Sequence, residues 1–279
     1  MSQPPRATSP AADRGSPEGS ATPPGRAVDA VIFDMDGVVT DTAAVHSLAW
    51  KRMFDEFLGG RAARAGTAWA EFTHDRDYRN HVDGKPRYRG VEAFLESRGL
   101  RLAPGSPDDP AGAETVCGLG NRKNELFNEI ISGEGVKLYG STIALIGELR
   151  EAGLRVGLAT SSRNAATILA RTGTAGLFAT VVDGLVSERL GLRGKPEPDI
   201  FLAAAANLGV PPARAVVVED AVSGVRAGSR GGFALVIGVA REGNAAELRE
   251  NGADVVVGDL AEASLEGIDR LVRRKAAGR

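Results

Sequence analysis

The sequence predicts an α/β fold, a doubly wound parallel sheet carrying an inserted, mostly helical domain. Three observations predict it. Over the second half of the chain, short apolar runs of strand length alternate with helical segments. Near residue 30 an apolar run stops abruptly at two aspartates one residue apart, as a buried strand does where its carboxyl end meets solvent. Between these regions lies a long stretch of weaker, more polar patterning, the mark of an insertion.

The elements follow in order. Residues 1–27 are rich in proline and small polar residues and hold no aromatic side chain, so they bury too little to offset ordering and read as a disordered tail. They also lack the apolar run of a secretory signal. Val28, Ala30, Val31, Ile32 and Phe33 form the first strand, ending at Asp34 and Asp36. His46 to Leu58 carries Ala49, Met53 and Phe57 beside Trp50, Phe54 and Leu58, a helix with a broad apolar face. From Gly59 the pattern weakens through polar Thr73 to Gly90, a helical piece at Val91 to Ser97 and a Pro/Gly-rich loop at Ala103 to Gly112. Ser141 reads as the N-cap of a helix ending at Gly153. Strands are then expected at Leu154–Ala159, Ala179–Val182, Ala215–Val218, Ala234–Val239 and Asp254–Val257. The intervening helices fall at Asn164–Arg171, Pro198–Leu208, Ala221–Ser229 and Asn244–Glu250. The domain division is a core of 28–44 and 138–279, with a helical cap at 45–137.

Composition narrows the function classes. Hydrophobic residues make up 43% and charged residues 25% of the 279-residue chain, ordinary values for a globular protein. A formal net charge of -2 gives no electrostatic case for nucleic acid. No apolar run is long enough to predict a membrane span. The single cysteine, Cys117, has no partner for a disulfide, and a reducing, cytoplasmic setting is expected.

Four strand ends carry the chemistry. Asp34 and Asp36 in DMDGV place two carboxylates at the sheet edge where α/β proteins bind ligands. Two such charges call for compensation, and a hard cation such as Mg²⁺ supplies it through oxygen ligands. An acidic turn closing the strand is the competing reading. Thr160, Ser161, Ser162 and Asn164 in TSSRN offer hydroxyls and a helix start suited to phosphate, or alternatively an ordinary capping turn. Lys195 in GKPEPD is held between prolines and could stabilise charge on a transferring phosphoryl group; a surface lysine before a helix is the alternative. Glu219 and Asp220 in VVEDA form a second acidic pair, with helix N-capping as the rival role of Asp220. His74, His81 and Cys117 are assigned no chemistry, and Trp69, Phe72 and Tyr78 are expected to pack the insertion.

These four motifs, in this order between Val28 and Asp259, resemble the haloacid dehalogenase-like phosphotransferases, and within them the β-phosphoglucomutase subgroup. The resemblance implies a Rossmann-like core with a helical cap. It makes Asp34 the nucleophile that becomes an aspartyl-phosphate, and Asp36 a general acid/base whose backbone carbonyl also faces Mg²⁺. Thr160 and Lys195 would hold the phosphoryl group, and Glu219 and Asp220 would complete the metal site. A carboxylate nucleophile splits one difficult transfer into two steps. In DGVVTDTAAVHSLAWK, Thr42, His46, Trp50 and Lys51 match the subgroup's hinge helix, where the Thr and His place the acid/base aspartate. Arg87, rather than Arg89, resembles the cap arginine that grips the far phosphate, and Lys123 in NRKNELF resembles the cap lysine, with Asn164 assisting. The charged stretch around Arg87 departs from the subgroup's usual text, and a merely solvated segment is its alternative.

The function so implied is a Mg²⁺-dependent phosphomutase. It would interconvert β-D-glucose 1-phosphate and glucose 6-phosphate, with glucose 1,6-bisphosphate as intermediate and primer, in a monomer acting on a phosphorylated sugar. The nearest rival is a sugar-phosphate phosphatase, in which water resolves the same intermediate. A phosphorylation switch of the receiver type fits less well, because receivers are shorter, lack a cap and carry their aspartate on a later strand.

Overall fold

The computed structural model describes residues 25–241 and 243–278. Six parallel strands form one sheet in the order β3-β2-β1-β4-β5-β6. They are β1 (Ala30–Phe33), β2 (Arg155–Ala159), β3 (Thr180–Val182), β4 (Ala215–Glu219), β5 (Leu235–Val239) and β6 (Val255–Val257). β1 lies in the middle, with Ile32 in register with Gly157 on one side and Val217 on the other. The residues of β1, β4 and β5 are buried throughout, while those of β6 are half-buried, as continuous apolar runs in the centre and weaker ones at the edge require. Every expected strand is present. The chain runs outward from β1 in both directions, so the crevice beside its carboxyl end is the topological switch point.

Ten α-helices complete the described residues: α1 (Ala43–Ala65), α2 (Arg87–Ser97), α3 (Val116–Glu134), α4 (Gly140–Glu151), α5 (Ala165–Thr172), α6 (Gly184–Arg189), α7 (Asp199–Asn207), α8 (Val222–Arg230), α9 (Ala245–Glu250) and α10 (Leu265–Ala276). The sequence did not predict α3, α6 or α10. α1 runs a further two turns beyond Leu58, burying Ala62, until Gly66 takes a left-handed φ of 64° and stops it. The polar segment expected after Thr73 is ordered as a π-helical stretch, His74–Val82. Ser141 is not an N-cap: α4 starts one residue earlier, after Tyr139, and the Ser141 hydroxyl bonds Asp259 instead.

The insertion between β1 and β2 packs α1 against α3 and the π-helical stretch, and α2 against α3 and that same stretch. Phe54, Phe72 and Phe94 fill its centre, with Phe54 and Phe94 centroids 3.9 Å apart. Phe72 and Tyr78 are buried as expected, but Trp69 is 40% exposed and covers Gly59 from outside. The chain enters and leaves the insertion side by side: Asp41 N–H donates to Lys137 O, and Tyr139 N–H donates to Val39 O. The N-terminal tail, as far as residue 24, lies outside the described residues. Arg26 and Ala27 are already tied down, to Ala152 O and the Asp269 carboxylate.

Candidate active site

The carboxyl ends of β1, β2 and β4 and the loop before α7 meet the insertion at one cleft. Asp34, Asp36, His46, Trp50, Arg87, Lys123, Thr160, Ser161, Ser162, Asn164, Lys195, Glu219 and Asp220 all line it. Thr42 stands behind the wall and reaches the cleft through Asp36, and Lys51 does not line it.

On the floor, Asp34 and Glu219 are buried and share one ammonium: Lys195 Nζ lies 2.5 Å from Asp34 Oδ1 and 2.5 Å from Glu219 Oε1. Burial pushes the Asp34 carboxyl well above the usual range, with Lys195 pulling the other way and Glu219 and Asp36 adding to the rise. Burial would lower Lys195, but the two carboxylates more than offset it and hold the ammonium charged. A surface lysine is thereby excluded. The remaining oxygen of Glu219, Oε2, accepts the N–H groups of Asp220 and Ala221 at 2.8 Å each.

Asp36 has opposite surroundings. Thr42 Oγ1 donates to its Oδ1 at 2.5 Å, and His46 Nε2 lies 3.2 Å from the same oxygen. Burial favours the neutral acid here too, yet His46, Thr42 and Lys123 together outweigh it and hold Asp36 below its usual range. Thr42 can do this because it precedes α1 without capping it, leaving its hydroxyl for Asp36. Beyond it, Lys123 Nζ lies 2.5 Å from His46 Nδ1. Ionised Asp36 only accepts, so the imidazole proton that faces it sits on Nε2 and Nδ1 accepts from Lys123. The His46 ring stacks on Phe127 at 4.2 Å, while Lys123 lies over the rings of Trp50 and Phe127. Burial, with Arg87 nearby, pulls Lys123 down to about 7. Trp50 therefore floors the ammonium. Lys51, the neighbouring match, points away to Asp55 and Glu71.

At the far end of the cleft, Arg87 Nη2 donates to Asn124 Oδ1 at 2.7 Å, and Asn164 Nδ2 donates to the same oxygen at 2.9 Å. Burial lowers the Arg87 guanidinium to about 10. Arg89 is turned outward to Glu92. Asn124 escapes a reading of the sequence, as do Tyr78, Lys85 and Arg163 on the cleft wall. Arg163 lies inside TSSRN and Asn124 beside Lys123 in NRKNELF, whereas Tyr78 and Lys85 reach the site only through the packing of the insertion on the core.

Two sets of contacts bear on the expected roles. The Ser161 hydroxyl, expected on substrate, donates to Gly84 O at 3.0 Å. Thr160 Oγ1 and Ser162 Oγ accept the N–H groups of Ser162 and Asn164 at 3.1 and 3.2 Å, so the TSSRN turn caps locally as well as facing the cleft. The second concerns the metal set Asp34, Asp36, Glu219 and Asp220. Among the described residues, no three acidic, histidine or cysteine side chains converge to hold an ion. Glu219 meets Lys195 through Oε1 and two N–H groups through Oε2. Asp220 does not cap α8, whose N-cap is Ala221. Burial, together with Glu219 and Asp83, pushes the Asp220 carboxyl well up, so it gains from a nearby positive charge. It also rests directly over Gly37, where φ is 83° and an added Cβ would lie 1.7 Å from Asp220 Oδ2. Asp34 and Asp220 line the same cleft as hard oxygen donors. That set fits Mg²⁺, which takes one or two carboxylates and completes its shell with water and phosphate.

Comparison with known proteins agrees with the geometry. A family model for haloacid dehalogenase-like hydrolases matches residues 28–232. The β-phosphoglucomutase of Mycobacterium bovis is 48% identical over 238 residues, covering 84% of this chain and 91% of the relative. That of Bacillus subtilis is 34% identical over 243 residues, covering 85% and 92%. The crystal structure of β-phosphoglucomutase from Clostridium difficile shares the fold, with a TM-score of 0.70 and 23% identity over 90% of this chain and 99% of that one. This chain is therefore an enzyme of the phosphotransferase and isomerase kind, and it belongs to the haloacid dehalogenase-like hydrolase family, in the β-phosphoglucomutase subgroup.

Proposed function

We propose that this enzyme is a Mg²⁺-dependent phosphomutase that interconverts β-D-glucose 1-phosphate and glucose 6-phosphate through an aspartyl-phosphate on Asp34 and glucose 1,6-bisphosphate. The observation that carries the reading is the opposite treatment of two carboxylates on one strand end. Asp34 is bound to the core lysine, whereas Asp36 is held ionised by Thr42 and by His46 of the insertion. Environments that push two acids apart assign them different tasks.

In this reading phospho-Asp34 passes its group to a sugar hydroxyl to form the bisphosphate, the Asp34–phosphorus bond breaks, and ionised Asp36 takes the hydroxyl proton. When Asp34 then attacks the other phosphate, the bond to the sugar oxygen breaks and Asp36 returns its proton to that oxygen. Lys195 and Thr160 face the phosphoryl oxygens as charge builds on them. Asp34, Glu219, Asp220 and the Asp36 carbonyl would hold Mg²⁺, which would supply the positive charge that offsets repulsion between the carboxylates and the phosphate. Arg87, with Asn124 and Asn164, takes the second phosphate, so the sugar can be held at either end. Residues 45–137 act as the cap, and residues 28–44 with 138–279 as the core. One chain contains every residue used, so a monomer in the cytoplasm suffices, with no nucleic acid or membrane partner.

The test is a product assay with Mg²⁺ and β-D-glucose 1-phosphate, with and without glucose 1,6-bisphosphate. Glucose 6-phosphate should dominate over inorganic phosphate and require the primer, and Asp34→Asn should abolish it. Dominant phosphate release without a primer would make the enzyme a phosphatase built on the same nucleophile.

A further inference from the structure

The cap touches the core beside the catalytic motifs through contacts that their chemistry does not use. The segment Asp83–Pro86, between the π-helical stretch and α2, lies across three core loops. Ser223 Oγ, at the start of α8, donates to Asp83 O at 3.1 Å. Ser161 Oγ, after β2, donates to Gly84 O at 3.0 Å. Pro86 sits on Gly194, one residue before Lys195, so tightly that a Cβ on Gly194 would lie 2.3 Å from the Pro86 ring. Gly84 has a φ of 66°, and a Cβ there would lie 2.2 Å from Ser223 Oγ. Both carbonyls are thus presented to the core by a turn that only glycine adopts without strain.

We propose that Ser223 and Ser161 are positioning residues that latch the cap shut through the Asp83 and Gly84 carbonyls, and that this latch sets the share of phosphoryl groups delivered to a sugar hydroxyl rather than to water. The inference rests on the mutase reading for its consequence, but not for its geometry. Neither hydroxyl touches a reacting group in this role. Each acts on the closed-to-open ratio of the cap, and a closed cap excludes water from the aspartyl-phosphate. One neutral hydrogen bond is equivalent to about fivefold in such a ratio.

The experiment compares wild type with Ser223→Ala, Ser161→Ala and the double variant. Rates of inorganic phosphate and glucose 6-phosphate formation are read together with amide hydrogen exchange across residues 83–90. Each single variant should raise the phosphate-to-glucose 6-phosphate ratio about fivefold, and the double variant roughly 25-fold. Exchange at the segment should speed up in step while thermal unfolding of the whole protein stays unchanged. Gly84→Ala, which pushes the segment off from the cap side, should reproduce the double variant. Unchanged partition with unchanged exchange in Ser223→Ala overturns the latch. Should the wild type make only phosphate, the mutase reading fails and exchange alone decides: faster exchange in the serine variants upholds the latch, and equal exchange removes it.

Discussion

Lys195 and Asp34 meet at 2.5 Å in a buried floor where Glu219 approaches the same ammonium at 2.5 Å. The lysine holds two anions out of water, so removing it leaves both uncompensated. Lys195→Met should lower unfolding free energy by about 3–5 kcal/mol and abolish turnover. Urea denaturation of the variant against wild type checks the first, and the product assay checks the second.

Arg87 and Arg89 separate cleanly. Arg87 lines the cleft and reaches Asn124, whereas Arg89 faces Glu92 on the surface. Arg87→Ala should raise KM for the bisphosphate by about 30-fold or more, the equivalent of a charge-assisted hydrogen bond. Arg89→Ala should stay within about twofold, since exposed pairs contribute little. Steady-state kinetics on both variants discriminates them.

The chain from Lys123 to His46 to Asp36 predicts graded loss. Thr42→Val and His46→Ala should lower kcat while leaving KM for the sugar phosphate nearly unchanged, because both act on Asp36 rather than on the substrate. Proportional rises in KM would contradict that division.

Lys123 also leaves a mark on stability. Its folded pKa, about 7, lies below the ordinary lysine value of 10.5, so above neutrality the folded chain binds fewer protons than the unfolded one. The cost of burying the charge is full below about pH 7 and fades as pH rises toward the unfolded value. Lys123→Met should therefore melt at a higher temperature than wild type at pH 6. The gap should close by pH 10, as calorimetry across that range would record.

Gly37 tests the cation set from the side. Its φ of 83° and the 1.7 Å separation that a Cβ would have from Asp220 Oδ2 mean that Gly37→Ala must displace the carboxylate. Mg²⁺ affinity measured by titration calorimetry should fall roughly 10- to 100-fold, as it does when a ligand's support is lost.

The strands and the four motif ends are legible in the sequence because each is a short apolar run stopped by polar residues, and the order of the runs dictates a parallel sheet. The insertion is less so. α3 opens with Gly118 and Gly120, poor helix formers that are there because Ala113 and Tyr88 press against them, and this contact has no local signature. The π-helical stretch is a run of charges whose order depends on Asp77, which takes the Thr73 N–H and the guanidinium groups of Arg76 and distant Arg98. Asn124 becomes visible only where Arg87 and Asn164 converge on it. Glu219 is legible as half of an acidic pair at a strand end, whereas its bonds to Lys195 and two N–H groups are tertiary facts.

The chain's crossing into and out of the insertion, pinned by Val39 with Tyr139 and by Asp41 with Lys137, has an evolutionary consequence. Since both connections are zipped together before any cap helix begins, those helices can be lengthened, shortened or exchanged without disturbing strand register. Drift in the appendage is thereby free except where His46 and Lys123 reach back to Asp36, which ties those two positions to the core.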